Sequence, residues 1–115
     1  MPREFPRHVR VAENIRRVLA EPVMRAGREA GVGMLTVTHV DLAPDLTQAR
    51  VAVSALGGEQ PANVLDLLRD LRPAMRQAVA RELRLKKTPA IQFVLDESIA
   101  KAARIGDLLL NRNAE

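Results

Sequence analysis

Apolar residues recur along this chain with two different periods. Between residues 8 and 26, Ala12, Ile15, Leu19 and Val23 repeat at three- and four-residue spacing, with Val11 and Val18 widening the stripe. That spacing predicts a helix with one buried face. Pro22 removes a backbone donor inside this run and crowds the carbonyl of Val18, so a kink or a stop and restart is expected near Ala20 and Glu21. Gly27, Gly31 and Gly33 read as the loop that ends the helical region. The period then falls to two. Leu35 and Val37 alternate with Thr36 and Thr38 over residues 34–41, and Ala49, Val51 and Val53 alternate with Gln48, Arg50 and Ser54 over residues 47–55. The Ala43-Pro44-Asp45 turn between them makes the pair an antiparallel hairpin.

Helical spacing returns after Gly57-Gly58, with Pro61 suited to a first turn. Leu67, Leu71, Met75, Val79 and Leu83 recur every fourth residue, and Arg69, Arg72 and Arg76 lie beside that seam. Pro73 interrupts it. The residue before a proline avoids helical angles, so Arg72 is expected to mark a break between two helices. Lys86-Lys87-Thr88-Pro89 is a basic connector to a third strand over residues 90–96, with Ile91, Phe93 and Leu95 inward. Residues 97–110 read as a closing helix and 111–115 as a frayed end. The expected class is α+β, helices on one face of a three-stranded sheet, in one domain over residues 1–110. The other sheet face would be solvated or cover a partner.

Composition narrows the function. The 115 residues include no cysteine, which removes disulfides, thiolate metal sites and a cysteine nucleophile together. Phe5 and Phe93 are the only aromatics, too few for a base-stacking platform. No apolar run is long enough to cross a membrane, and the N-terminus lacks the apolar stretch of a secretory signal, so the expected location is cytoplasmic.

Charge is distributed in blocks. Residues 1–28 hold seven arginines against three glutamates, and residues 69–87 hold seven basic side chains against Asp70 and Glu82. Between them, residues 29–68 hold Arg50 against five acids. Residues 3–17 and 69–87 folded onto one side would make a polyanion-binding face. Arginine supplies 15 of the 18 basic residues, and its planar fork matches phosphate oxygens. The bland alternative is a set of solvated helix faces.

Catalysis finds little to work with. His8 reads as a surface residue at a helix start, and His39, on the strand face of Leu35 and Val37, as a partly buried structural residue. Asp96-Glu97 reads as a helix cap. There is no nucleophile elbow, phosphate-binding glycine loop, dinucleotide fingerprint or zinc-binding histidine pair. The expectation is a non-enzyme with no cofactor and no metal.

Specific residues suggest more. Phe5-x-Arg7-x-x-Arg10-Val11 is followed by Gly33-Met34 and by Val40-x-Leu42-x-x-Asp45-Leu46-x-x-Ala49-Arg50-Val51. Arg76 and then Arg84-Leu85-Lys86-x-x-Pro89-x-Ile91-x-Phe93-x-x-Asp96-x-Ser98 complete the series. In this order and spacing, the chain resembles the ribosome-binding factor A family over about residues 3–110. The resemblance implies a type II K-homology (KH) fold with a mixed sheet. It also implies binding to the free 30S subunit, contact with 16S ribosomal RNA, a part in late 30S maturation and importance at low temperature. Standard KH domains clamp nucleotides with a G-x-x-G loop, which this sequence lacks. The family has a kinked helix pair there, with a small residue, any residue, then glycine; here the place reads Leu71-Arg72-Pro73.

Proline offers neither glycine's close approach nor an N–H to a phosphate. RNA contact is therefore expected from the side chains of Arg72, Arg76, Arg81, Arg84, Lys86 and Lys87, with Arg7 and Arg10 as a second patch. Arg7, Arg10, Arg76, Arg84 and Lys86 match the family pattern; the others follow from charge. A monomer is expected. Two other readings stay open at this point: a protein-interaction module docking on a ribosomal protein or an assembly GTPase, and a general nucleic-acid chaperone.

Overall fold

The computed structural model describes residues 6–57 and 61–96. The helix expected over residues 97–110, the frayed end after it and the capping role of Asp96-Glu97 lie outside the described residues or depend on them. The order of elements is α1 (Arg7–Ala30), β1 (Met34–Leu42), β2 (Gln48–Leu56), α2 (Pro61–Leu83) and β3 (Ala90–Leu95). The strands form one sheet in the order β1-β2-β3. β1 and β2 pair antiparallel, with Leu42 opposite Ala49, and β3 pairs parallel to β2, with Ala90 opposite Gln48.

Alternation supplies the inner face of the sheet. Leu35, Val37, Val40 and Leu42 of β1, Ala49, Val51 and Val53 of β2, and Ile91 and Phe93 of β3 are buried against Ile15, Leu19 and Val23 of α1 and Val64, Leu68 and Val79 of α2. Each large side chain fully removed from water contributes about 1.5–3 kcal/mol.

Two expected interruptions are corrected, the stop and restart near Ala20 and Glu21 and the break between two helices at Arg72. α1 runs unbroken through Pro22, and α2 runs unbroken through Pro73, so Arg72 does not separate two helices. A proline inside a helix removes one hydrogen bond and crowds one carbonyl. Buried residues flank each proline on both sides: Leu19 and Val23 in α1, Leu68 and Met75 in α2. Packing on both sides outweighs the lost bond.

Gly27 is a third correction, a buried helical residue and not a loop residue. A Cβ there would stand 2.5 Å from Cγ of Leu35, so glycine lets α1 close onto β1. The chain leaves the helix only at Gly31, where N–H groups of the turn bond to the carbonyls of Arg28 and Gly27.

His39 is the fourth. The β1–β2 register shifts between Val37 and His39, a bulge at Thr38. One extra residue reverses the parity of all that follows. Val40 and Leu42 therefore turn inward, and His39 turns outward with its side chain 63% exposed.

Candidate nucleic-acid interface

The topology carries the first turns of α1 and the later part of the second basic segment to one end of the sheet. α1 closes just before β1 begins, so its first turns lie beside the far end of β1, where Asp41 and Leu42 stand. The antiparallel turn starts β2 at that same end, and parallel pairing starts β3 there too. α2 must return the chain from the end of β2 to the start of β3, so its later turns and the connector before Pro89 arrive at this end as well.

Three depressions lie there. A cleft of about 750 Å³ between α1 and β1 is lined by His8, Arg10, Asn14, Arg17, His39 and Asp41, among others. A groove of about 630 Å³ between α2 and the connector includes Thr47, Pro73, Arg76, Gln77, Lys87 and Thr88. A third, of about 510 Å³, includes Asp41, Gln48, Arg50, Arg72 and Gln92. Asp41 borders the first and the third, and Ala90 the second and the third, so the three adjoin. Arg10, Arg72, Arg76 and Lys87 are thus brought to adjoining grooves. Arg7, Arg81, Arg84 and Lys86 are exposed but line none of them.

Ion pairing sorts the cations into two sets. Arg16 and Arg17 pair with Glu13, Arg25 with Glu21 and Arg69 with Asp66, each within its own helix. The hydrogen bond from Arg16, and the charges of Arg16 and Arg17, hold the Glu13 carboxyl below its ordinary range, and Glu13 raises Arg16 in return. All eight expected RNA-contact residues lack a carboxylate partner among the described residues. Arg76 instead donates to the Thr88 carbonyl at 3.1 Å. Their charge is available to a polyanion.

Arg50 also belongs with this set. It is exposed, and although it stands opposite Asp41 across the hairpin, Asp41 bonds to His39 at 2.6 Å. The outward alternation of β2 carried the signal for Arg50, but its place in an acidic stretch obscured it. Among the described residues no cluster of three histidines or acids offers a metal site.

The comparisons decide the family. The family model described as ribosome-binding factor A matches residues 7–109. The chain belongs to the ribosome-binding factor A family. It is 37% identical over 111 residues to ribosome-binding factor A of Alkalilimnicola ehrlichii, covering 95% of this chain and 85% of that one. It is 39% identical over 112 residues to that of a Methylobacterium species, covering 95% and 81%. The crystal structure of ribosome-binding factor A from Thermus thermophilus superposes with a TM-score of 0.66 at 25% identity, covering 76% of this chain and 94% of that one. A homology model of the Thermus thermophilus factor, fitted into a cryo-EM map of its complex with the 30S subunit, also gives 0.66, at 27% identity, with 78% and 96% covered.

The α+β arrangement with a mixed three-stranded sheet is the KH-like fold expected for ribosome-binding factor A. At the place of the family's kink, Leu71, Arg72 and Pro73 all lie within α2, Leu71 half-buried and the other two exposed. Pro73 lines the groove of Arg76 and Lys87 and offers no N–H to it.

Proposed function

We propose that this protein binds the free 30S ribosomal subunit through the basic end of its sheet and assists late maturation of 16S ribosomal RNA without covalent chemistry. Arg10, Arg72, Arg76 and Lys87 neutralise phosphates there, with Arg7, Arg81, Arg84 and Lys86 extending the surface. The shape of the folded RNA supplies selectivity. The observation that carries this reading is the separation of cations into helix-paired and unpaired sets, with unpaired ones lining adjoining grooves. Family membership and the likeness to the Thermus thermophilus factor fitted to a 30S complex support the choice of subunit.

Co-sedimentation with 30S, 50S and 70S particles across a salt series tests it. The protein is expected to pellet with 30S particles only and to be released as salt rises. Failure to pellet, or pelleting indifferent to salt, would refute it.

A further inference from the structure

The α1–β1 cleft differs in character from the other two depressions. Its rim carries Arg10, which has no carboxylate partner among the described residues, and its other arginines, Arg16 and Arg17, are held by Glu13. Val9 and Val40 contribute apolar surface, with Val9 41% exposed. One acid in it lacks an arginine or lysine partner among the described residues. Asp41 is 69% exposed, with one carboxylate oxygen bonded to Nε2 of His39. A site for phosphates alone has no use for such a carboxylate, which repels them, or for apolar walls.

We propose, building on the RNA-binding reading above, that this cleft holds one unstacked nucleotide, its phosphate on Arg10 and the donor edge of its base on Asp41, with guanine preferred. A carboxylate only accepts hydrogen bonds. Guanine presents N1–H and N2–H side by side to it. Uracil presents a single N–H between two carbonyls, which the carboxylate repels. Unpaired nucleotides expose these edges, whereas a duplex hides them. The imidazoles of His8 and His39, both lining the cleft, offer flat surfaces to a base in a protein almost without aromatics.

The bulge at Thr38 creates this arrangement. Without the register shift, His39 and Asp41 would both face the core, and the cleft would have neither the carboxylate nor its imidazole.

Fluorescence anisotropy with two labelled heptamers, all uridine and uridine with one central guanosine, tests the proposal on the wild-type protein and on Asp41→Asn. The wild type is expected to prefer the guanosine heptamer about fivefold or more. Asp41→Asn is expected to bind all-uridine RNA at least as tightly, because a repelling charge is gone, and to lose the preference. Equal wild-type affinities, or a preference that survives in Asp41→Asn, overturn the proposal. So does displacement of the guanosine heptamer by an acidic peptide at equal concentration, which would make the cleft a peptide site. Parallel 30S pelleting separates the two readings. Pelleting with equal heptamer affinities defeats the nucleotide site alone, and loss of pelleting by the wild type defeats both.

Discussion

Arg76 of α2 donates a hydrogen bond to the main-chain carbonyl of Thr88, 3.1 Å away, across the connector that carries Lys86 and Lys87. One edge of the guanidinium thus joins the helix to the connector, and the side chain stays exposed beside Lys87. Charge reversal at Arg76 and Lys86 should abolish 30S pelleting, because it turns two attractions into repulsions. Both side chains are exposed, so the far-ultraviolet circular dichroism of Arg76→Glu/Lys86→Glu should stay native. Undiminished pelleting by a folded double variant would exclude this surface.

Pro73 is exposed within an unbroken helix and denies it one hydrogen bond. Pro73→Ala should therefore raise stability by up to about 3 kcal/mol. Urea denaturation checks this through an increased midpoint at constant slope. An unchanged midpoint would show that the helix loses nothing at this position.

Arg84 follows α2 with φ of 48°, in the left-handed region where a side chain costs about 1–2 kcal/mol. Arg84→Gly should stabilise the fold by about 1 kcal/mol and weaken RNA binding. Stabilisation with full binding would remove Arg84 from the interface.

The turn between β1 and β2 should be sensitive to acid. The hydroxyl and the N–H of Thr47 both donate to Asp45, lowering its carboxyl below the ordinary value of 3.8. A depressed folded-state value stabilises above the unfolded value and is lost as pH falls through the folded one. The melting temperature of the wild type should therefore exceed that of Asp45→Ala at neutral pH, and the gap should narrow below about pH 4. A gap constant into the acid range would contradict the linkage.

Strand positions and core faces were legible wherever local alternation was undisturbed, as in Leu35, Val37, Ala49, Val51, Val53, Ile91 and Phe93. Legibility failed at Thr38, because a bulge depends on pairing with a partner strand and leaves no local pattern. Pro22, Pro73 and Gly27 misled for a related reason. Their local preference favours a break, and packing between α1, α2 and the sheet overrides it. The basic surface was legible as two charged blocks. Which arginines are spent on Glu13, Glu21 and Asp66 emerged only from side-chain geometry.

That division of arginines yields the most direct measurement. The affinity for 30S subunits is followed across a salt series for the wild type, for Arg72→Gln/Arg76→Gln/Lys87→Gln and for Arg16→Gln/Arg25→Gln/Arg69→Gln. With about six to eight phosphates contacted, the wild-type slope of log affinity against log salt should be about −4 to −6. Neutralising the unpaired set should flatten it by about 2–3, whereas neutralising the helix-paired set should leave it near the wild-type value. Equal slopes for the two triple variants would contradict an interface built from unpaired cations.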